Sequence, residues 1–163
     1  MAVKIGLAAA LVGGLVWLWI FLHPSPEELI KARFADIARL VSIAPNDGNL
    51  SRMAAASGLA DSFTRDAAIL VENPRGGKFD FKGRDNILEA AQAVVAGVKG
   101  MKVEFVDLNI LVSPNDVTAE VELTAKITFT GDNDILPQEM KCLLTRVDGQ
   151  WLVARVETVR VLK

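Results

Sequence analysis

Residues 117–130 read VTAEVELTAKITFT. Apolar side chains occupy one set of alternate positions in this stretch, from Val117 to Phe129, and polar side chains occupy the other. Successive side chains of a β-strand point to opposite faces, so this alternation predicts a long strand with one buried and one solvated face. A strand of this kind is typical of an antiparallel sheet, because strands of parallel sheets are usually apolar on both faces.

Three more strands are predicted around this one, and short turns separate all four. The dipeptide Asp148-Gly149 is a strong hairpin signal. In the first strand the alternation shifts near Val106, which predicts a β-bulge. The three strands read MKVEFVDLNILV, QEMKCLLTRV and QWLVARVETVRVL, at residues 101–112, 138–147 and 150–162.

Before these strands, three segments show the spacing of amphipathic helices. Ser25 is placed to cap the first helix, and Pro26 fits its first turn. An apolar stripe follows at helical spacing: Ile30, Phe34, Ile37 and Val41.

The other two helices are predicted at residues 50–63, with Asn49 as the cap, and at residues 84–98. Short strands are predicted at residues 67–72 and 79–83. This order of elements predicts an α+β fold, in which three helices cover one side of a curved antiparallel sheet and enclose a cone.

Four stretches of the chain resemble the nuclear transport factor 2-like proteins, and in particular the SnoaL-like group. They read FTRDAAILVENP, FKGRDNILEA, VTAEVELTA and RVDGQWLVARVETV, and they place the resemblance over residues 25–163. The resemblance implies a cone-shaped, cystatin-like α+β fold and frequent dimers formed sheet to sheet. It does not fix the function, because this fold hosts isomerases, dehydratases, cyclases and many non-enzymatic modules.

The catalytic positions that the resemblance implies are mostly missing. In the ketosteroid-isomerase-like members a general-base Asp stands before a Pro, whereas this chain has Asn73 before Pro74. An amide cannot accept a proton as a carboxylate base does. Those members also use a Tyr, and the dehydratase-like members use His and Tyr. The chain has no Tyr, and its one histidine, His23, lies before the domain. The sequence therefore leans against an enzyme and assigns no catalytic residue; Glu157 and Asp107 are the only acid or base candidates for the enzymatic alternative.

Five residues are candidates for binding a small ligand: Asn73, Asp107, Trp151, Arg155 and Glu157. Arg155 and Glu157 alternate with Trp151 along the last strand, so all three are expected on one face. There the charged pair either projects into the cavity, where it binds a polar ligand group, or forms an exposed ion pair on the outer sheet face. Asp107 is interpreted as an outward or bulge residue, and Trp151 as a core residue.

Composition excludes several classes of function. The formal net charge is -2 and no run of basic residues occurs, which argues against nucleic-acid binding. Cys142 is the single cysteine, so neither an internal disulfide nor a cysteine-based metal site is possible. It is read as a small core residue, with a reactive thiol as the alternative. No metal and no cofactor are predicted.

The amino-terminal segment predicts a membrane anchor. Residues 5–22 read IGLAAALVGGLVWLWIFL and carry no charge. As a helix they would reach about 27 Å, close to the thickness of a bilayer core. The rival reading is a cleaved signal peptide, but no small-x-small cleavage site follows. Lys4, in the stub of residues 1–4, favours a cytoplasmic amino terminus and an exported domain, although Lys31 and Arg33 oppose this orientation.

Together these features predict a single-pass protein of the inner or plasma membrane with an exported domain at residues 25–163. We expect a non-enzymatic binding or assembly module with a small apolar pocket. A homodimer through the sheet face is expected, because the last strand is largely apolar on both faces. The alternatives are a small-molecule isomerase or hydrolyase of the SnoaL-like type, and a tethered carrier of a lipid or another apolar ligand.

Overall fold

The computed structural model describes residues 24–72, 77–132 and 134–159. Within these ranges the chain forms three helices and six strands, which confirms the predicted α+β class. In chain order they are α1 (Pro26–Val41), α2 (Asn49–Asp61), β1 (Phe63–Glu72), β2 (Lys78–Lys82), α3 (Arg84–Gly97), β3 (Met101–Val112), β4 (Thr118–Phe129), β5 (Ile135–Val147) and β6 (Gln150–Thr158).

All six strands form one sheet in the order β2-β1-β6-β5-β4-β3. The four carboxy-terminal strands pair consecutively and antiparallel, as predicted. The hairpin at Asp148 and Gly149 is also confirmed, since both residues adopt the positive φ that a tight turn requires. β1 pairs with β2 antiparallel and with β6 in parallel. The sequence pattern contains no signal for this parallel pairing, which places β6 inside the sheet.

Helix α1 begins as the sequence predicts. The Ser25 hydroxyl accepts a hydrogen bond from the Glu28 N–H, and the Glu28 carboxylate accepts one from the Ser25 N–H. This reciprocal capping box satisfies two donors that a helix start leaves without partners. Farther along, Ile30, Phe34 and Ile37 are buried, so the apolar stripe of α1 faces the core.

The start of α2 differs from the prediction. Asn49 is the first helical residue, and Gly48 is the N-cap with no side-chain hydrogen bond. The prediction that Asn49 caps α2 was therefore wrong. β1 also begins earlier than predicted, at Phe63, because Phe63 pairs with Val153 of β6 and the Val153 N–H donates to the Ser62 carbonyl. This tertiary pairing extends the strand over the polar residues 64–66, where the sequence shows no strand pattern.

The buried side chains form two clusters on the helix-covered face of the sheet. The larger cluster combines α1 with the inward residues of β4 and β5, including Val121 and Leu144. The smaller one joins α2 and α3 to the start of β3, at Met101 and Val103. The alternation of β4 is confirmed, because its inward residues are buried from Ala119 to Ala125. The opposite side of the sheet is called the outer face below.

The three described helices are each too short or too polar to cross a bilayer. The predicted anchor at residues 5–22 lies outside the described residues.

Arg52 of α2 binds the end of α3. Its Nη1 donates to the carbonyl oxygens of Val95 and Val98 at 3.0 and 2.9 Å, and its Nε donates to the Asp47 carbonyl at 3.1 Å. The last carbonyls of a helix have no partner within the helix and carry partial negative charge. The guanidinium satisfies them and fixes α2 against α3.

Replacing Arg52 is expected to destabilise the helical layer. Arg52→Met removes the charge-assisted hydrogen bonds and should lower the free energy of unfolding by about 2 kcal/mol. Urea denaturation of the chain from Pro24 onward measures this change. As a control, Arg39→Met removes an exposed ion pair with Asp36 and should change stability by less than about 1 kcal/mol. Equal effects of the two substitutions would contradict the role given to Arg52.

Candidate functional site

A bulge in β6 decides which side chains enter the interior. Leu144 of β5 lies opposite Val153, but the next β5 partner, Leu143, lies opposite Arg155, so Ala154 has no partner of its own. An extra residue of this kind reverses the facing of every later side chain in the strand. Val153 before the bulge and Val156 after it are both buried.

The bulge separates Arg155 and Glu157 from Trp151. Trp151 faces the interior and is 2% exposed. The charged pair lies on the outer face, with side chains 49% and 39% exposed. The prediction that all three share one face was therefore wrong, because alternation holds only in a strand without a bulge. The Arg155 Nε donates to Glu157 Oε1, and this exposed pair lies outside the cone.

Trp151 packs among the core side chains, as the sequence interpretation has it. The Arg146 guanidinium lies 6.0 Å from the centre of its ring. The indole Nε1 is buried and has no hydrogen-bond partner, which carries a desolvation penalty. Trp151 is thus a large core residue at the start of β6.

Asp107 forms the predicted bulge of β3. The pairing with β4 shifts between Val106 and Asn109, and Asp107 has a φ of 55°. Asp tolerates this left-handed conformation better than most residues, because its short side chain can bond locally. Its own side chain is exposed, while the following Leu108 packs partly into the core. Asn73, the remaining candidate, lies outside the described residues.

The interior contains few groups able to transfer a proton. Among residues 24–72, 77–132 and 134–159, Ser62 is the only polar residue that is almost fully buried, and its hydroxyl donates to the Gly58 carbonyl at 3.1 Å. The Thr64 hydroxyl and the Gln138 amide oxygen are also buried, without a hydrogen-bond partner, but neither group is an acid or base near neutral pH. Burial raises the pKa of the Cys142 thiol to about 12. That thiol stays protonated near neutral pH and is therefore a poor nucleophile. The described part of the chain also holds no cluster of His, Cys, Asp and Glu that could bind a metal ion.

The outer face mixes apolar and charged side chains. Leu111, Glu120, Leu143 and Arg155 are successive neighbours across four strands. Leu111 is 61% exposed and Leu143 is 39% exposed. Lys141 lies two residues before Leu143 on the same face of β5, and its Nζ is 2.5 Å from Glu120 Oε1. This hydrogen bond holds the pKa of Lys141 above its usual value. Apolar and charged side chains therefore alternate along this row, and the outward residues of β4 are threonines and charged residues.

Two depressions open on the surface of the described chain. One, of about 470 Å³, surrounds the start of α3 and is lined by Arg65, Lys82, Gly83, Arg84, Asp85 and Asn86. The other is a groove of about 320 Å³ between α1 and β3, lined by Lys31, Phe34, Ala35, Ala38, Phe105 and Leu108. The sequence interpretation identified neither. The sequence does carry one signal for the groove, since Lys31, Ala35 and Ala38 share one face of a helix.

The fold matches many solved structures at low sequence identity. A protein from Novosphingobium aromaticivorans, named provisionally as a scytalone dehydratase, is 20% identical; the match covers 83% of this chain and 84% of that one, with a TM-score of 0.63. A protein of unknown function from Mycobacterium tuberculosis is 22% identical, with 91% and 77% covered and a TM-score of 0.64. A nuclear transport factor 2-like protein of unknown function from Pseudomonas putida is 14% identical, with 82% and 85% covered and a TM-score of 0.64.

These likenesses establish the class of fold. The described chain has the cystatin-like, nuclear transport factor 2-like α+β fold that the sequence predicts. No protein-family model matches the sequence, and no curated protein matches it significantly. Because the identities are low, the structural relatives define the architecture alone and leave the function to be argued from this chain's own residues.

Asp107 is expected to affect the stability of the fold through its backbone conformation and not through its carboxylate. Asp107→Gly should change the free energy of unfolding by less than about 1 kcal/mol, since glycine adopts a positive φ without strain. Asp107→Val should lower it by about 1–2 kcal/mol, because a β-branched residue is strained there. Thermal denaturation of both variants checks this. If the glycine variant proved less stable than the valine variant, the positive φ would not be what selects the residue at position 107.

Proposed function

We propose that the protein is a membrane-anchored, non-enzymatic binding and assembly module, whose domain forms a homodimer through the outer face of its sheet. The observation that carries this proposal is the division of polar chemistry between the two faces. The interior is mostly apolar, whereas the charged side chains of β4, β5 and β6 lie on the outer face. These charged side chains are therefore placed to bind a partner at the outer face, and not to react with a substrate in a cavity.

The arrangement of the interior gives little support to the enzymatic alternative. An isomerase or hydrolyase needs a positioned acid or base within hydrogen-bond reach of its substrate. The bulge in β6 turns Glu157 outward, and Asp107 is exposed at the bulge of β3. The structural relative named provisionally as a scytalone dehydratase shares the fold at 20% identity, so its name does not transfer a mechanism to this chain.

The outer face has the size and character of a dimer interface. Strand β4 has 12 residues, which span about 40 Å, and four neighbouring strands span about 19 Å. The resulting area of about 760 Å² is close to the roughly 800 Å² that each partner buries in a standard interface. Leu143 supplies an apolar contact on β5, Leu111 supplies another on the edge strand β3, and the Lys141–Glu120 and Arg155–Glu157 pairs supply polar ones.

The dimer proposal is tested on the chain from Pro24 onward, which contains both hydrophobic clusters. Sedimentation should show a dimer, and Leu143→Glu should weaken it at least about tenfold, because it replaces an apolar contact of the interface with a charge that association must desolvate. Leu50→Glu is the matched control. Leu50 is 89% exposed on α2, away from the sheet, so this substitution should leave association unchanged. A parent domain that stays monomeric at high concentration would refute the dimer.

Membrane anchoring is tested on the full chain. The apolar, uncharged residues 5–22 support a span. The full chain should remain in the membrane pellet after alkaline carbonate extraction, whereas the chain from Pro24 onward should be released. Val12→Arg combined with Leu15→Arg should release it as well, since each arginine disfavours insertion by about 3 kcal/mol. Protease added outside spheroplasts should cleave the domain if it is exported. Release of the unaltered full chain would count against the anchor.

A further inference from the structure

The groove between α1 and β3 has apolar walls of defined shape. Phe34 and Phe105 meet edge to face, with ring centres 5.6 Å apart at 83°. The bulge at Asp107 shifts the pairing of β3 with β4, and Leu108 follows it at the groove. On the other side, Ala35 and Ala38 leave space because their side chains are short. The β3 bulge and the two alanines of α1 together line an open channel of about 320 Å³.

One lining residue of the groove is charged. Lys31 is exposed, and among the residues that the structure describes it forms no ion pair or hydrogen bond. Arg39 of the same helix, in contrast, pairs with Asp36. A free ammonium group beside an apolar channel complements a ligand with an anionic head and an apolar tail.

The position of the groove along the chain also bears on its ligand. Lys31 lies five residues after Pro26, where α1 begins, so the groove starts about 8 Å along the helix axis. The apolar segment of residues 5–22 ends just before α1. If that segment is held in a bilayer, the groove opens close to the lipid headgroups; this step rests on the proposed anchoring.

We propose that this groove is a binding site for a single-chain anionic amphiphile of the fatty-acid type. The acyl chain lies along Phe34, Phe105 and Leu108, and the carboxylate pairs with the Lys31 ammonium group. The volume is at the lower end of the roughly 300–1,000 Å³ of small-molecule sites, which favours one chain over a two-chain lipid. The groove opens beside the larger core cluster, to which Phe34, Phe105 and Leu108 contribute, and it gives the proposed binding module a class of ligand.

Photolabelling of the full chain in phosphatidylcholine nanodiscs tests this proposal. The probe is a palmitate analogue with a diazirine at the end of its acyl chain. After illumination and proteolysis, mass spectrometry should find the probe on peptides of α1 and β3 that line the groove. Palmitate should compete for labelling more strongly than hexadecanol, by about two- to fivefold, as expected for one exposed ion pair.

Variants with matched controls separate the two parts of the site. Ala38→Trp fills the channel and should reduce groove labelling at least about tenfold, whereas Ala93→Trp, at an exposed position on α3, should not reduce it. Lys31→Glu should remove the preference for palmitate over hexadecanol, whereas Lys99→Glu should keep it. Circular dichroism confirms that each variant is folded.

Several outcomes would overturn the assignment. Labelling confined to residues 1–23 would mean that the probe reports only the surrounding bilayer. Labelling of the groove that persists in folded Ala38→Trp would place the ligand elsewhere. Equal competition by palmitate and hexadecanol would remove the anionic head from the proposal. Because labelling is read on α1 and β3 peptides, it reports the groove even if carbonate extraction shows that the chain is not anchored.

Discussion

The position of β6 between β1 and β5 is the constraint on which the rest of the sheet depends. β5 pairs with β6 through a local hairpin, whereas β1 reaches β6 from almost the other end of the domain. Without the parallel pairing, the β1–β2 ribbon would be separate from the four-stranded meander, and an isolated two-stranded ribbon is marginal in water. β6 therefore joins the two parts of the sheet and completes the wall against which α1 and α3 pack.

Two bulges then determine the chemistry of each face. The bulge at Ala154 in β6 keeps Val156 inside and moves Arg155 and Glu157 outside. The bulge at Asp107 in β3 interrupts the opposite edge of the sheet and is followed by Leu108 at the groove. Because a bulge reverses the facing of the residues after it, two inserted residues are enough to leave a mostly apolar interior and a charged outer face.

Helix α1 contributes to two surfaces at once. Ile30, Phe34 and Ile37 close the core, while Lys31, Ala35 and Ala38 face the groove beside β3. The same helix follows the apolar segment of residues 5–22 in the chain. A ligand in the groove would therefore contact both the helix nearest the proposed anchor and an edge of the sheet whose outer face is proposed to dimerise.

The sequence by itself determined the class of fold, the capping of α1, the four-stranded meander and the bulge near Val106. These features depend on local spacing and turn chemistry, which can be read from neighbouring residues. The tertiary structure alone decided the parallel pairing of β1 with β6, the contact of Arg52 with α3, the bulge at Ala154 and the groove. Each of these depends on residues distant in sequence or on a single insertion in a strand that is largely apolar on both faces. The bulge at Ala154 decided the side of the sheet on which Arg155 and Glu157 lie. The position of that bulge is set by the pairing of β6 with β5 and not by the residue pattern of β6 itself.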